Sequence, residues 1–258
     1  MIIDVSSPRT YPVELEHILV EFFSKMPEDI KKKIEKKKIE HEVDVRCAIE
    51  DYVGPFKVEE LYKSLIEIMK NYDLIVYHST KVLDKGCFLK DGIHPNEWNW
   101  YEKTLIKTFK NIGISKQEMN RAMSLIKNEY NRKYIGGKSV LCFFSDLSLV
   151  DDKETAGYEQ FCENIGGELA RWALKNREPR IYKYLKEHGE QLIIKFVLPF
   201  SKVTYYQQDG IVYQFICRVA GKFFWNYEYK VSFDGTTEEV IGPEKILEFI
   251  HYDKEVDY

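Results

Sequence analysis

The sequence predicts an α+β fold, and three observations carry that prediction. Apolar residues recur at helical spacing through most of residues 1 to 70. Two short apolar runs in the middle of the chain, Leu74 to Tyr77 and Ser139 to Ser145, read as buried strands. The last third of the chain is strand-rich in its pattern. Helices first and strands later argue against a doubly wound parallel sheet. The expected division is a helical N-terminal segment over 1–70 and a second domain over 71–258.

The elements follow in order. Pro12 to Met26 sets Val13, Leu15, Ile18, Leu19, Phe22 and Phe23 at helical spacing. Pro27-Glu28-Asp29 opens a second helix, with a proline and acids where a helix start favours them. Six lysines between Lys31 and Lys38 read as a solvated face around Ile30, Ile34 and Ile39, or as phosphate contacts. Lys57 to Asn71 is a third helix with Leu61, Leu65, Ile66 and Ile68 apolar. The strand Leu74 to Tyr77 then runs straight into His78-Ser79-Thr80, and Val82 to Ile93 is a short helical or irregular piece ending in a turn. Trp98 to Asn111 and Ser115 to Asn131 are helices, the second opened by a capping box of Ser115 and Glu118.

Gly136-Gly137 breaks that pattern before the strand at 139–145, and Asp146 to Thr155 reads as a polar loop. Tyr158 to Leu174 is helical but interrupted by Gly166-Gly167-Glu168. Gln191 to Leu198, Ile211 to Ala220 and Phe224 to Phe233 read as strands, with Asp234-Gly235 a tight-turn signal. Glu239-Val240-Ile241 is a further short strand, and Gly242-Pro243-Glu244 opens a last helix from Lys245 to His251.

Composition bounds the possibilities. A chain of 258 residues with 44% hydrophobic and 14% aromatic content is not mainly disordered and has ample length for a buried core. Its net charge of −4 gives no global basic field for nucleic acid. The five cysteines, Cys47, Cys87, Cys142, Cys162 and Cys217, never form a CxxC pair. They read as reduced thiols of a cytoplasmic protein, and neither a zinc ribbon nor a disulfide framework is expected. No signal peptide or membrane span is read, since no run approaches about 18 uninterrupted apolar residues.

The usual nucleotide and hydrolase signatures are absent: no GxGxxG after a strand, no GxxxxGK[ST], no HExxH and no GxSxG. Polar residues next to apolar strands remain as candidates. Tyr77-His78-Ser79-Thr80 is one group and Phe143-Phe144-Ser145-Asp146 another. Gly166-Gly167-Glu168 is a third; paired glycines inside a helical run need a reason, whether close packing, a cap or approach to a ligand. Glu238-Glu239 is the fourth. Each has a plain structural reading: a core histidine, a packed helix break, a solvated pair of acids.

Tyr77-His78-Ser79-Thr80 with Leu83, followed by Leu89-Lys90-Asp91-Gly92-Ile93, resembles the opening strand of the ADP-ribosyltransferase fold, with its Y-H-x-T segment and later glycine-hydrophobic turn. Val140 to Ser145 is similar to that family's second core strand. Glu238-Glu239-Val240-Ile241-Gly242-Pro243-Glu244-Lys245-Ile246 resembles its closing catalytic-glutamate strand. Phe161 with Gly166-Gly167-Glu168 resembles a group of bacterial proteins with the same kind of fold. The R-S-E type signature is not present, and residues 1 to 70 resemble nothing known to us. The likeness implies a split antiparallel sheet core and an NAD-dependent transferase modifying a protein or nucleic acid.

By the same resemblance, His78 binds an NAD ribose, while Tyr77, Thr80, Phe144 and Ser145 complete the cofactor pocket. The catalytic acid is Glu239 or Glu168, with Glu228 and Glu238 as competitors. NAD is the co-substrate and no metal is needed. A bacterial toxin or anti-phage defence effector is implied, with an antitoxin or inhibitor protein as a possible partner and no membrane. The alternative is a non-catalytic protein- or nucleic-acid-binding module. Convergence decides between them: an enzyme needs His78, Ser145 and one of the candidate glutamates on one cleft, and the reading fails if they lie on different faces.

Overall fold

A computed structural model describes residues 1–37, 42–134, 139–147, 163–227 and 233–251. In chain order the elements are strand β1 (Ile2–Asp4), helices α1 (Val13–Ser24), α2 (Glu28–Glu35), α3 (Glu42–Val53) and α4 (Pro55–Met69), and strand β2 (Asp73–Val82). Helices α5 (Gly86–Asp91), α6 (Trp98–Asn111) and α7 (Lys116–Lys133) follow, then strand β3 (Leu141–Phe144). Helices α8 (Gly167–Leu174) and α9 (Pro179–Glu187), strand β4 (Glu190–Pro199) and helix α10 (Tyr205–Ala220) come next. Strands β5 (Asp234–Thr237) and β6 (Ile246–His251) close the described chain. The fold is α+β. Its sheet runs β5-β3-β2-β4-β6, with β1 paired in parallel to the start of β2. β4 and β6 are antiparallel, with a register shift between Lys195 and Phe196.

The chain divides into two compact units, each discontinuous in sequence. The first takes residues 1–76, 144–148 and 197–235. The helices expected over 1–70 form, but α10, which the sequence boundary put with the second domain, folds with them. It packs on α1, α3 and α4. Leu15, Leu19 and Phe23 of α1 are buried, as are Ile211, Val212 and Phe215 of α10, and the Tyr11 and Phe215 rings lie 4.5 Å apart. A buried ion pair joins Arg218 of α10 to Asp146.

As far as Lys37, the lysine-rich segment behaves as a solvated face. α2 buries Ile34, while Lys31 pairs with Glu28 at 2.9 Å and Lys33 with Asp29 at 3.6 Å. Ile39 lies outside the described residues.

The second unit takes residues 77–143, 149–196 and 236–258. Its core gathers Leu105 and Phe109 of α6, Ala122 and Ile126 of α7, Leu169 and Ala173 of α8, and Ile181 and Leu185 of α9. α7 and α8 pack along each other. The capping box forms as expected: Ser115 Oγ accepts from Glu118 N at 3.2 Å, and Glu118 Oε2 accepts from Ser115 N at 3.0 Å.

Several expected elements differ. Ile211 to Ala220 is helix α10, not a strand, and Phe224 begins no strand either: Gly221–Trp225 continues as a π-helical turn. The run is rich in strand-favouring residues, yet it is buried on nearly every side. An all-round apolar helix and a buried strand share that pattern, so burial decides. Lys245 to His251 is not a helix. Pro243 opens only a short 3₁₀ turn, and the chain continues as β6. Of Glu239-Val240-Ile241, Ile241 alone pairs, in an isolated bridge with Ile93. Gly136-Gly137, Tyr158, Phe161, Cys162 and most of the expected loop 146–155 lie outside the described residues.

Candidate functional site

Strand β2 is longer than its apolar run. It continues through His-Ser-Thr to Val82, so His78 stands within the strand instead of at its end. The period of two then puts His78, Thr80 and Val82 on one half-buried face. That face is one wall of a cavity of about 480 Å³, a size suited to a small organic ligand. The other walls are α5, the link from Gly92 to Asn96, α6, the start of β3 and the turn Ile165–Leu169. Every lining residue belongs to the second unit.

His78 Nδ1 lies 2.8 Å from the Cys142 carbonyl oxygen. A carbonyl only accepts, so Nδ1 carries the proton and Nε2 is left as the ring's acceptor. Burial depresses the His78 pKa from its ordinary value, and the Cys142 hydrogen bond opposes this only in part. The ring is therefore held neutral.

Glu168 reaches the same cavity from the first turn of α8. The two glycines before it are explained by geometry. Gly166 has φ +82° and caps the helix in the left-handed region. A Cβ there would lie 2.9 Å from both Ala170 Cβ and Leu105 Cδ2. Gly167 has φ +57°. The turn is further tied by Tyr101 Oη donating to Gly166 O at 2.5 Å and by Asn164 Nδ2 donating to Gly167 O at 3.0 Å. Burial in the cleft wall pushes the Tyr101 phenol well above its ordinary pKa. The Glu168 carboxylate pairs with Lys133 from the last turn of α7. Burial opposes the Lys133 charge, but the Glu168 hydrogen bond helps to raise its pKa overall.

The remaining walls are basic and aromatic. Lys81, Lys90, Lys103, Lys107 and Lys133 line the cavity against Asp84, Asp91 and Glu168. His94 stacks on Trp100 with centroids 3.8 Å apart and planes at 21°, and its Nε2 lies 2.8 Å from Asp91 O. The Lys103 ammonium sits 5.6 Å from the Trp100 ring. Gly92, at φ +76°, lets the Ile93–Ile241 bridge close: a Cβ on it would meet Ile241 O at 2.1 Å.

The cavity thus brings together His78, Thr80 and Glu168. Tyr77, Phe144, Ser145 and Glu239 are not among its lining residues. Tyr77 and Phe144 are buried. Ser145 is fully buried, where its N donates to Phe233 O at 3.1 Å and its Oγ accepts from Phe233 N at 3.0 Å. Glu239 precedes the Ile241 bridge and donates its N–H to Thr237 Oγ1 at 3.1 Å. Glu238 is exposed, and Glu228 lies outside the described residues. Sequence reasoning missed Lys133, Lys103, Lys107, His94 and Trp100. A signal existed for α6: Trp100, Thr104 and Lys107 recur at helical spacing with Lys103 beside them, one polar face of an expected helix.

Fold and site together define an α+β protein with a basic, partly aromatic cleft in one of its two units. No protein-family model matches the chain, and no curated protein or solved structure shows significant similarity to it. Among the described residues, no helix is long and apolar enough to cross a membrane, and no group of three or more His, Cys, Asp or Glu is placed to hold a metal ion.

Proposed function

We propose that this cleft binds NAD and that the protein transfers ADP-ribose from it to a macromolecular acceptor. One observation carries the reading: His78 and Glu168, far apart in the chain, line the same cavity, although Ser145, the third group expected there, does not. In the transfer, the bond between ribose C1′ and the nicotinamide nitrogen breaks, and its electron pair leaves with nicotinamide. Positive charge develops on the ribosyl carbon and ring oxygen. A carboxylate in a partly desolvated wall stabilises that charge. In this reading Glu168 takes that role and accepts the proton the acceptor loses when it attacks C1′. His78 Nε2 accepts a hydrogen bond from a ribose hydroxyl, and Thr80 offers a hydroxyl on the same strand face. Glu168, not Glu239, is the carboxylate assigned here, because Glu239 lies off the cleft.

The pairing of Glu168 with Lys133 favours a second reading, in which a carboxylate already neutralised by an ammonium leaves the cleft to hold a nucleotide without breaking it. Nicotinamide release from labelled NAD separates the two. Glu168→Gln is expected to lower turnover by on the order of 10²-fold or more, while Glu239→Gln stays near wild type. Wild-type turnover in both Glu168→Gln and His78→Ala sinks the transferase reading. NAD binding without turnover, in the presence of protein and nucleic-acid acceptor pools, supports the second.

A further inference from the structure

We infer that the α5–α6 wall of the cleft is a binding surface for single-stranded nucleic acid, which makes nucleic acid, and not protein, the acceptor. The role of that strand as acceptor rests on the transferase reading, but its binding is measured without NAD.

Three features of the wall carry it. Lys90 of α5 and Lys103 and Lys107 of α6 are all exposed, and all line the cavity. Lys103 and Lys107 are one helical turn apart, on one face of α6. Among the described residues none of these three ammonium groups is in an ion pair. Other surface lysines of the chain are paired: Lys25 with Glu21, Lys31 with Glu28, Lys63 with Glu59 and Lys70 with Glu67. The wall does hold two carboxylates, Asp84 and Asp91, but Asp84 Oδ1 already accepts from Gly86 N at 2.8 Å.

The second feature is aromatic. His94 and Trp100 form a stacked pair in the same wall, with Lys103 over the indole. Cations that track a phosphate backbone, set beside flat rings on which bases stack, are the chemistry of single-strand binding. An acidic protein partner would use the lysines but leave the stacked rings without a role. A duplex hides its base faces and would do the same. The third feature is position. The wall borders the cavity that holds His78 and Glu168, so a strand lying on it brings base and ribose nucleophiles to the cavity mouth.

The test is fluorescence anisotropy with labelled 12-mers of oligo-dT and oligo-U, a duplex of the same length, and heparin as a polyanion without bases, all without NAD. Both single strands are expected to bind better than the duplex, and the pair distinguishes DNA from RNA as the preferred source. Three phosphate contacts predict a slope of log K on log salt near about −2, falling to about −0.7 in Lys103→Gln/Lys107→Gln. That variant should weaken binding at low salt by about tenfold or more, and Lys103→Arg/Lys107→Arg should retain it. Trp100→Ala should cost about tenfold for the oligonucleotides and nothing for heparin. Equal affinity for heparin with no effect of Trp100→Ala, or no oligonucleotide binding while proteins are labelled from NAD, overturns the inference. Oligonucleotide binding without any NAD turnover leaves the binding surface standing and sinks the transferase reading instead.

Discussion

His78 has only one ring nitrogen left for a ligand, because Nδ1 is committed to the Cys142 carbonyl. The two influences on its charge act in opposite directions, and burial prevails. Its pKa in the folded protein therefore lies below the ordinary 6.5. The unfolded chain takes up this proton first as pH falls. Stability contributed at this site is thus full above pH 6.5, is lost as pH drops through the interval below it, and levels off once the folded form also protonates. An NMR titration of the His78 ring should give a midpoint below 6.5; a midpoint at or above that value contradicts the burial argument. Ligand binding through Nε2 should persist to the same low pH. Near it, Gly166 shows how a residue without a side chain sets a functional one. Its left-handed backbone and its contact-limited surroundings turn the chain so that Glu168 emerges in the cleft.

The legible elements are those whose local signals agree with their burial. α6 and α7 have helical periodicity, and α7 has a capping box whose two hydrogen bonds form. Ser115→Ala should lower stability by about 1 kcal/mol, read as a shift in the urea midpoint with an unchanged slope. A loss within error would mean that the first turn of α7 is held by packing alone. α10 was illegible for the opposite reason. Its β-branched and aromatic residues favour a strand, and only their burial against α1, α3 and α4 makes them helical. β6 failed on length, since six residues after a proline show too little periodicity to separate strand from helix. The candidate site was half legible. His78, Thr80 and Glu168 were visible as polar residues beside apolar runs. The lysine wall was not, because unpaired cations differ from solvated ones only in where their acids lie.

At the scale of the molecule, the boundary read near residue 70 matched a change of composition, but the two units are interleaved. Asp146 and Arg218 show the consequence: residues from separate segments form one buried ion pair in the first unit. Asp146→Ala leaves a buried guanidinium without its carboxylate and should cost about 3–5 kcal/mol, measured by chemical denaturation. A cost below about 1 kcal/mol would show that water or other groups replace the acid. The loss should also exceed that of the double change Asp146→Ala/Arg218→Met, which removes both charges.

The interleaving also sets a timetable for synthesis. Helices α1, α3 and α4 leave the ribosome before α10, which packs on them and comes from residues 205–220. At ordinary translation speeds the intervening chain takes about seven to thirty seconds to make. Through that interval Leu19, Phe23 and Leu65 lack their final neighbours. These helices are made before the one that covers them, so the nascent chain depends on its surroundings for protection until α10 arrives.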